Sequence, residues 1–255
     1  MKVFILIEET VFFHPEFMQD FLQNTVDEVV GAVLVTKAPK KNDIERYMMT
    51  HFYYLQPTEI LKLGWNKVKF TILDRLDKER PHTVRRVLEE HHVPYIEVQN
   101  NINTPEYLNY IRKTEPDVIL SSQPLYFGSE LLNIPKLCCL NRHSGLLPKN
   151  GGVWPGFQAV RKGESETGVS VHTMASQIDA GVVLSQISVT IHPGESVWDI
   201  YEECFAKSAQ AVMDALDKVR KGDYTAVENS FTREYYSFPT RTQWKEFRQH
   251  GGRYV

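Results

Sequence analysis

Apolar positions fall into short unbroken runs near the start of this chain and into alternating runs further on, and that change of period sets the expected architecture. Val3-Phe4-Ile5-Leu6-Ile7 is continuous, the pattern of a strand buried on both faces. A helix around Pro15 to Gln23 and a second apolar run, Val29 to Val35, follow it. Strand, helix, strand in that order implies a parallel pair with a right-handed crossover. Thr83 to His92 reads as a helix whose last residues, His91-His92, suit the negative end of the helix dipole, and Pro94 to Val98 reads as a strand. Thr104-Pro105-Glu106 opens a further helix with a capping residue and a proline in its first turn, and Pro116 to Leu120 is the next buried strand. After a short strand ending near Asn141, the pattern predicts a helix from Val153 to Lys162 stopped by Gly163. Thr167 to Met174 alternates as a half-buried strand, and Val182 to Ile191 forms another. Ser196-Val197-Trp198-Asp199 is a capping box, and Val197, Ile200, Cys204, Ala209, Val212, Leu216 and Val219 keep helical spacing until Lys221-Gly222. Between Asp43 and Leu76, the aromatic-rich stretch with Tyr47, Met48, Phe52, Tyr53 and Tyr54, then Ile60, Leu61, Leu63 and Trp65, reads as helices on one sheet edge or as a lid over an aromatic substrate ring. The sum is an α/β fold with a mostly parallel sheet flanked by helices. Residues 1–190 form the main domain, and 191–255 a C-terminal helix and aromatic tail that pack on it or extend it.

At 255 residues and 42% hydrophobic, the chain can bury a full core. Its 29 basic against 32 acidic side chains leave a net charge of -3, which gives no general attraction to nucleic acid or anionic lipid. The N-terminal apolar run is too short for a signal-peptide core or a membrane span, so a cytoplasmic location is expected. Three cysteines form neither a metal spacing nor an even disulfide set, and Cys138 and Cys139 face opposite sides of a strand, which fits a reducing compartment.

Candidate chemistry starts from what is missing. Nucleotide-binding folds place glycines after the first strand so that backbone can approach phosphate, whereas this chain has Glu8-Glu9-Thr10-Val11, and two carboxylates repel phosphate. His14, just beyond, reads as a surface loop residue. In Cys139-Leu140-Asn141-Arg142-His143, alternation points Asn141 and His143 to one side and Arg142 to the other. An amide and an imidazole sharing one space can bind a carbonyl oxygen and exchange a proton near neutral pH, which suits acyl chemistry. Ser121-Ser122-Gln123-Pro124-Leu125-Tyr126-Phe127 follows a strand, on the edge where open α/β sheets place ligands. A flat aromatic ligand could lie against Leu125, Tyr126 and Phe127; an ordinary strand-to-helix turn is the other reading. His172 reads as a satisfied sheet histidine rather than a catalyst, and Asp179 in Ile178-Asp179-Ala180-Gly181 as a turn former. A hydrolase centred on Ser144 competes, but lacks the Gly-x-Ser-x-Gly turn that exposes such a nucleophile.

The succession Asn141-x-His143, Leu146-Leu147-Pro148, Gly163-Glu164 with Thr167-Gly168-Val169, and Ile178-Asp179-Ala180-Gly181 with Gln186 resembles the formyltransferases that use N10-formyltetrahydrofolate, densely from about Asp117 to Gln186. One position departs: Gly145 stands where many members have serine. The resemblance implies a Rossmann-like catalytic domain and a catalytic set of Asn141, His143 and Asp179. It also implies a folate site formed by Gln123, Leu125, Tyr126, Phe127, Ile178 and Asp179. In the implied reaction an amine attacks the formyl carbon, Asn141 and His143 stabilise the oxyanion, and Asp179 charges His143, raises its pKa and relays a proton. No metal is required. The chain ends at Val255, too early for the barrel appendage of transfer-RNA formylating members, and Glu8-Glu9 disfavours the glycinamide-ribonucleotide branch. The tail Tyr235-Tyr236-Ser237-Phe238-Pro239-Thr240 is similar to tails of the branch that formylates nucleotide-linked amino sugars. The expected partner is therefore a small-molecule amine, without nucleic acid or membrane. The aromatic tail either contacts substrate or packs on its own domain or on a second subunit, which leaves a homodimer open. A hydrolase releasing formate from the same folate and a non-catalytic folate or nucleotide-sugar binding module remain alternatives.

Overall fold

The first apolar run forms strand β1 (Lys2–Glu8), whose central residues are all buried. Helix α1 (His14–Asn24) carries the chain back to β2 (Glu28–Val35), parallel to β1. The computed structural model describes residues 1–36, 54–77, 80–175 and 177–255, so Tyr47, Met48, Phe52 and Tyr53 lie outside the described residues. Helix α2 (Pro57–Leu76), helix α3 (Val84–Glu90), β3 (Tyr95–Val98), helix α4 (Pro105–Lys113) and β4 (Val118–Ser122) come next. Thr104 precedes α4 but makes no side-chain cap, unlike Thr83, which accepts from the Arg86 amide. A short helix, α5 (Ser129–Leu132), leads into β5 (Cys138–His143).

Strands β3, β2, β1, β4 and β5 run parallel in that spatial order. The sheet then continues through β7 (Glu166–Thr173) and β8 (Val183–Thr190), both joined antiparallel. Alternation along β1 decides which layer each side chain joins. Val3, Ile5 and Ile7 meet α1 residues Phe17, Met18 and Phe21, whereas Phe4 and Leu6 join Leu108 and Ile111 of α4. Cys138 and Cys139 divide between the same two layers, as alternation requires.

Two expectations change. Strand β7 is buried along both faces rather than one, because Val169 and Val171 meet the helix layer while Ser170 and His172 are covered by loops. The helix expected to run unbroken through Val197 to Val219 is two, α7 (Val197–Ala206) and α8 (Ser208–Arg220). At the break the Ser208 hydroxyl donates to the Cys204 carbonyl, 2.7 Å, a back-bond that bends helices. Both helices pack onto β7 and β8. A two-residue strand, β6 (Gly151–Gly152), pairs with β9 (Tyr235–Tyr236), and helix α6 (Pro155–Lys162) ends at Gly163 in the left-handed conformation. The final helix, α9 (Arg241–Gln249), docks Trp244 and Phe247 against Phe157 of α6. Among the described residues no helix is long and apolar enough to cross a membrane.

Candidate active site

Strand order reverses between β1 and β4, and a cavity of about 810 Å³ opens beyond the carboxyl ends of these strands, the expected ligand crevice of an open α/β sheet. Strand β5 delivers Asn141 and His143 to it, and antiparallel pairing sets His172 opposite Asn141. Arg142 turns its side chain the other way, as alternation predicts: its Nε donates to Ser208 Oγ at 2.8 Å and its guanidinium lies 3.6 Å from the centre of the Phe205 ring.

His143 is buried, and its Nε2 lies 3.1 Å from the Asn150 carbonyl. A carbonyl only accepts, so Nε2 carries the proton and, in the neutral ring, Nδ1 is a lone pair. That nitrogen faces Asp179 Oδ2 at 4.0 Å. Burial lowers the His143 pKa below its ordinary value, and the pull of Asp179 in the opposite direction does not overcome it. The sequence-based expectation of a raised histidine pKa is therefore corrected: the neighbouring carboxylate is present, but loss of hydration outweighs it.

Asp179 adopts φ 51 at the tip of its loop, a conformation aspartate tolerates better than most residues. Its Oδ2 accepts the Gly152 amide at 2.7 Å and its Oδ1 lies 3.5 Å from His172 Nε2. Burial acts to raise its pKa, but the His172 hydrogen bond, the charges of both histidines and the Gly152 amide together bring it down to about 2. At Gly152 a side chain would collide with the backbone of Tyr236, so only glycine can present this amide. Asn141 Nδ2 lies 3.2 Å from the same His172 nitrogen, whose partner Nδ1 lies 2.9 Å from the Thr173 carbonyl. As at His143, the carbonyl fixes a proton on the ring nitrogen it faces, here Nδ1, so in the neutral ring Nε2 is a lone pair that accepts from the Asn141 NH2. Only a second proton, on Nε2, joins His172 to Asp179, and with it the Asn141 oxygen belongs on the histidine side and its NH2 turns to the cavity. His172 is a buried sheet histidine with both ring nitrogens partnered, as expected, and its partners include two residues of the expected catalytic set. Gly145 lies against this group. A Cβ there would be 2.8 Å from Pro155 and 3.0 Å from His143 Nε2, so this loop is built around the lack of a side chain.

All six residues of the expected folate site line the cavity. Leu125 and Phe127 are buried in its wall, and Tyr126 and Ile178, 63% and 54% exposed, stand at its mouth. Gln123 is engaged within its own loop: Nε2 donates to the Leu125 carbonyl at 3.1 Å, and Oε1 accepts the Leu125 amide. It shapes the wall more than it reaches outward. Asn103, absent from the sequence reading, holds this loop from outside through the Tyr126 carbonyl and the Gly128 amide.

The cavity is also lined by Glu8, His14, Ser122, Ser144, Trp154 and Tyr235. The expected surface position of His14 is corrected: its ring packs on Phe205 and lies 3.3 Å from Ser122 Oγ, and burial, reinforced by the Arg142 charge, depresses its pKa to about 3. Burial raises the Glu8 pKa, and among the described residues no hydrogen bond or ion pair meets its carboxyl.

The sequence profile of the formyl transferase family matches residues 66–216, more than half of the chain. The chain belongs to the formyl transferase family. Over 186 residues it is 31% identical to the methionyl-tRNA formyltransferase of Thermotoga maritima, an alignment covering 70% of this chain and 58% of that protein, so the chain spans little more than half of this relative. Two solved formyltransferases share the fold. Phosphoribosylglycinamide formyltransferase from Anaplasma phagocytophilum superposes with a TM-score of 0.62 at 11% identity, covering 94% of this chain and 99% of that one. A sugar N-formyltransferase from Shewanella sp. FDAARGOS_354 does so with a TM-score of 0.54 at 18% identity, covering 93% and 77%.

Proposed function

We propose that the protein transfers a formyl group from N10-formyltetrahydrofolate to the amine of a nucleotide-linked amino sugar. The observation that carries the transfer is the convergence of Asn141, His143, His172 and Asp179 on one cavity wall, in a chain of the formyl transferase family. The cavity, about 810 Å³, lies within the range of small-molecule sites, and Leu125 and Phe127 offer an apolar wall for a flat pteridine.

The folate supplies an activated formyl group. The Asn141 NH2 donates to the formyl oxygen as it gains negative charge, and a single such donor contributes roughly 100-fold to 1000-fold. His143, neutral and with its Nε2 proton held by the Asn150 carbonyl, offers Nδ1 to the proton that leaves the attacking amine. The Asp179 carboxylate favours the imidazolium so formed, and the proton passes on to the nitrogen that loses the formyl group. One C–N bond forms, one breaks, and one proton moves between the two nitrogens.

For the acceptor, the supporting observation is the part of the cavity lining outside the expected folate site. Aromatic rings of Trp154 and Tyr235, the Glu8 carboxyl and the Ser122 and Ser144 hydroxyls suit a hydroxyl-bearing ring. Among the described residues no lysine lines the cavity, and its single arginine, Arg142, is 7% exposed and already engaged. A phosphate would thus lie away from the reacting amine. The 31% identity to a methionyl-tRNA formyltransferase favours a second reading, in which the amine belongs to an aminoacyl-tRNA. Incubating the protein and N10-formyltetrahydrofolate with nucleotide-linked amino sugars, with initiator methionyl-tRNA, and with no acceptor, then weighing the products, separates these readings. A formylated sugar supports the proposal, formyl-methionyl-tRNA replaces its acceptor, and free formate alone or no product overturns the transfer.

A further inference from the structure

Helix α2 is the part of the molecule least explained by its own fold. Its inner side is anchored at two residues. Glu59 is buried and bound by Arg248 and the Tyr254 amide, and Phe70 meets Phe12 and His82 with ring centres 6.0 Å and 5.9 Å away. The outer side should then be polar, yet Leu61, Trp65, Val68, Ile72 and Leu76 all face outward, with Leu61 73% and Trp65 68% exposed. They fall at steps of four, three, four and four, one narrow stripe along the helix and the seam pattern of a helix meeting another helix. Lys62, Lys67 and Lys69 border the stripe without interrupting it.

The stripe fits a second copy of itself. Steps of four, three and four read the same in both directions, so two antiparallel α2 helices related by a two-fold axis between residues 66 and 67 meet layer by layer. Leu61 of one copy opposes Ile72 of the other, and Trp65 opposes Val68. Gly64 opposes Lys69 in the same register, and the space around Gly64 is empty to beyond 4 Å, which leaves room for the lysine stem. The outward side chains present on the order of 600 Å² of apolar surface, more than a monomer usually leaves open in one patch. Two copies would bury roughly 1,200 Å², the lower limit of specific interfaces. Trp65 at the centre is the residue type that most often anchors such a contact. We propose that the protein forms a two-fold symmetric dimer through antiparallel pairing of helix α2, in the register that sets Leu61 against Ile72.

The register makes the test specific. Leu61→Glu and Ile72→Lys each place a charge against an apolar side chain of an identical partner, so each variant alone should be monomeric by light scattering at concentrations where the parent is a dimer. Mixed in equal amounts they should regain the dimer mass, since Glu at 61 then meets Lys at 72 while the second layer keeps its leucine–isoleucine contact. Circular dichroism checks that both remain folded; Trp65→Glu with Val68→Lys repeats the test if either does not. The proposal is overturned by a monomeric parent, by variants that still dimerise, or by a mixture that stays monomeric. A monomeric parent that sediments with anionic phospholipid vesicles would assign the stripe to a lipid surface, again overturning it. None of these outcomes depends on formyl transfer.

Discussion

Two groups of residues in the cavity lining hold their polar atoms in opposite ways. At the catalytic wall each group is bound to the next: Gly152 to Asp179, Asp179 to His172, His172 to Asn141, and Asn150 to His143. Among the residues proposed to meet the acceptor, the Glu8 carboxyl has no hydrogen-bond or ion-pair partner among the described residues, and the His14 ring meets Ser122 Oγ at 3.3 Å. A group that must act on charge developing in the transition state has to be oriented beforehand, since reorientation would cost during the reaction what the interaction returns. A group that recognises a ligand must instead keep its hydrogen-bonding capacity free until the ligand arrives. On the proposed reading, the difference separates chemistry from recognition within one cavity.

Removing the oriented donors should break this picture most severely. Asn141→Ala and His143→Ala should each lower kcat by about 100-fold or more while circular dichroism shows a folded protein. Single-turnover rates within a few-fold of the parent would remove both residues from the reaction. Asp179→Asn keeps shape and turn propensity but loses the charge, so most of the turnover should go, on the order of tenfold to 100-fold, with folate affinity by calorimetry nearly unchanged. The sign of its pH effect follows from the site. In the proposed mechanism His143 acts as a neutral base, so activity should be present above its depressed pKa and fall as pH drops through it. Asp179, at about 2, stays ionised there and contributes no acid limb of its own. Removing the carboxylate withdraws its support for the imidazolium, so the acid limb of the kcat profile should move to lower pH. An unmoved limb with near-parental kcat would return Asp179 to the role of turn former.

Changes among the residues proposed to meet the acceptor should be milder and should appear in different constants. Glu8→Gln should raise the acceptor KM about tenfold, the scale of one hydrogen bond to a charged group, and leave folate affinity and acceptor-free formate release unchanged. An effect on kcat alone would merge the two groups. The smallest effect concerns stability. His14 is neutral in the fold down to about pH 3 but takes a proton near pH 6.5 when unfolded, so the stability it contributes is full above pH 6.5 and is lost as pH falls toward 3. His14→Phe should flatten the urea midpoint between pH 6 and 4; a slope equal to that of the parent would show that other groups set it.

Much of this was legible in the sequence because the relevant order is local. Continuous apolar runs give the buried parallel strands, and the alternation of Asn141, Arg142 and His143 is realised with Arg142 among helices and its neighbours in the cavity. What escaped depends on distant pairings. His172 joins the site because β7 returns antiparallel with His172 opposite Asn141, a register no local pattern contains. His14 reads as loop surface from its neighbours alone, but the first turn of α1 ends beneath Phe205, far along the chain. The charge on His143 was misjudged for a related reason: a nearby aspartate can be read from a motif, whereas the depth of burial belongs to the whole fold.

The small pairing of β6 with β9 has a further consequence. The Glu234 amide donates to the Pro148 carbonyl, the Gly151 amide to the Glu234 carbonyl and the Val153 amide to the Tyr236 carbonyl, so the late segment clasps both sides of the loop that holds Asn150 against His143 and Gly152 against Asp179. Residues 223–234, which lead into it, have no helix or strand. Such a clasp can open without the sheet unfolding, and each opening would switch off the catalytic wall for as long as it lasts. Amide hydrogen exchange at Gly151, Val153 and Glu234 would then behave as a single unit, faster than the core strands. The fraction of time the clasp spends closed would cap the fraction of molecules competent to react.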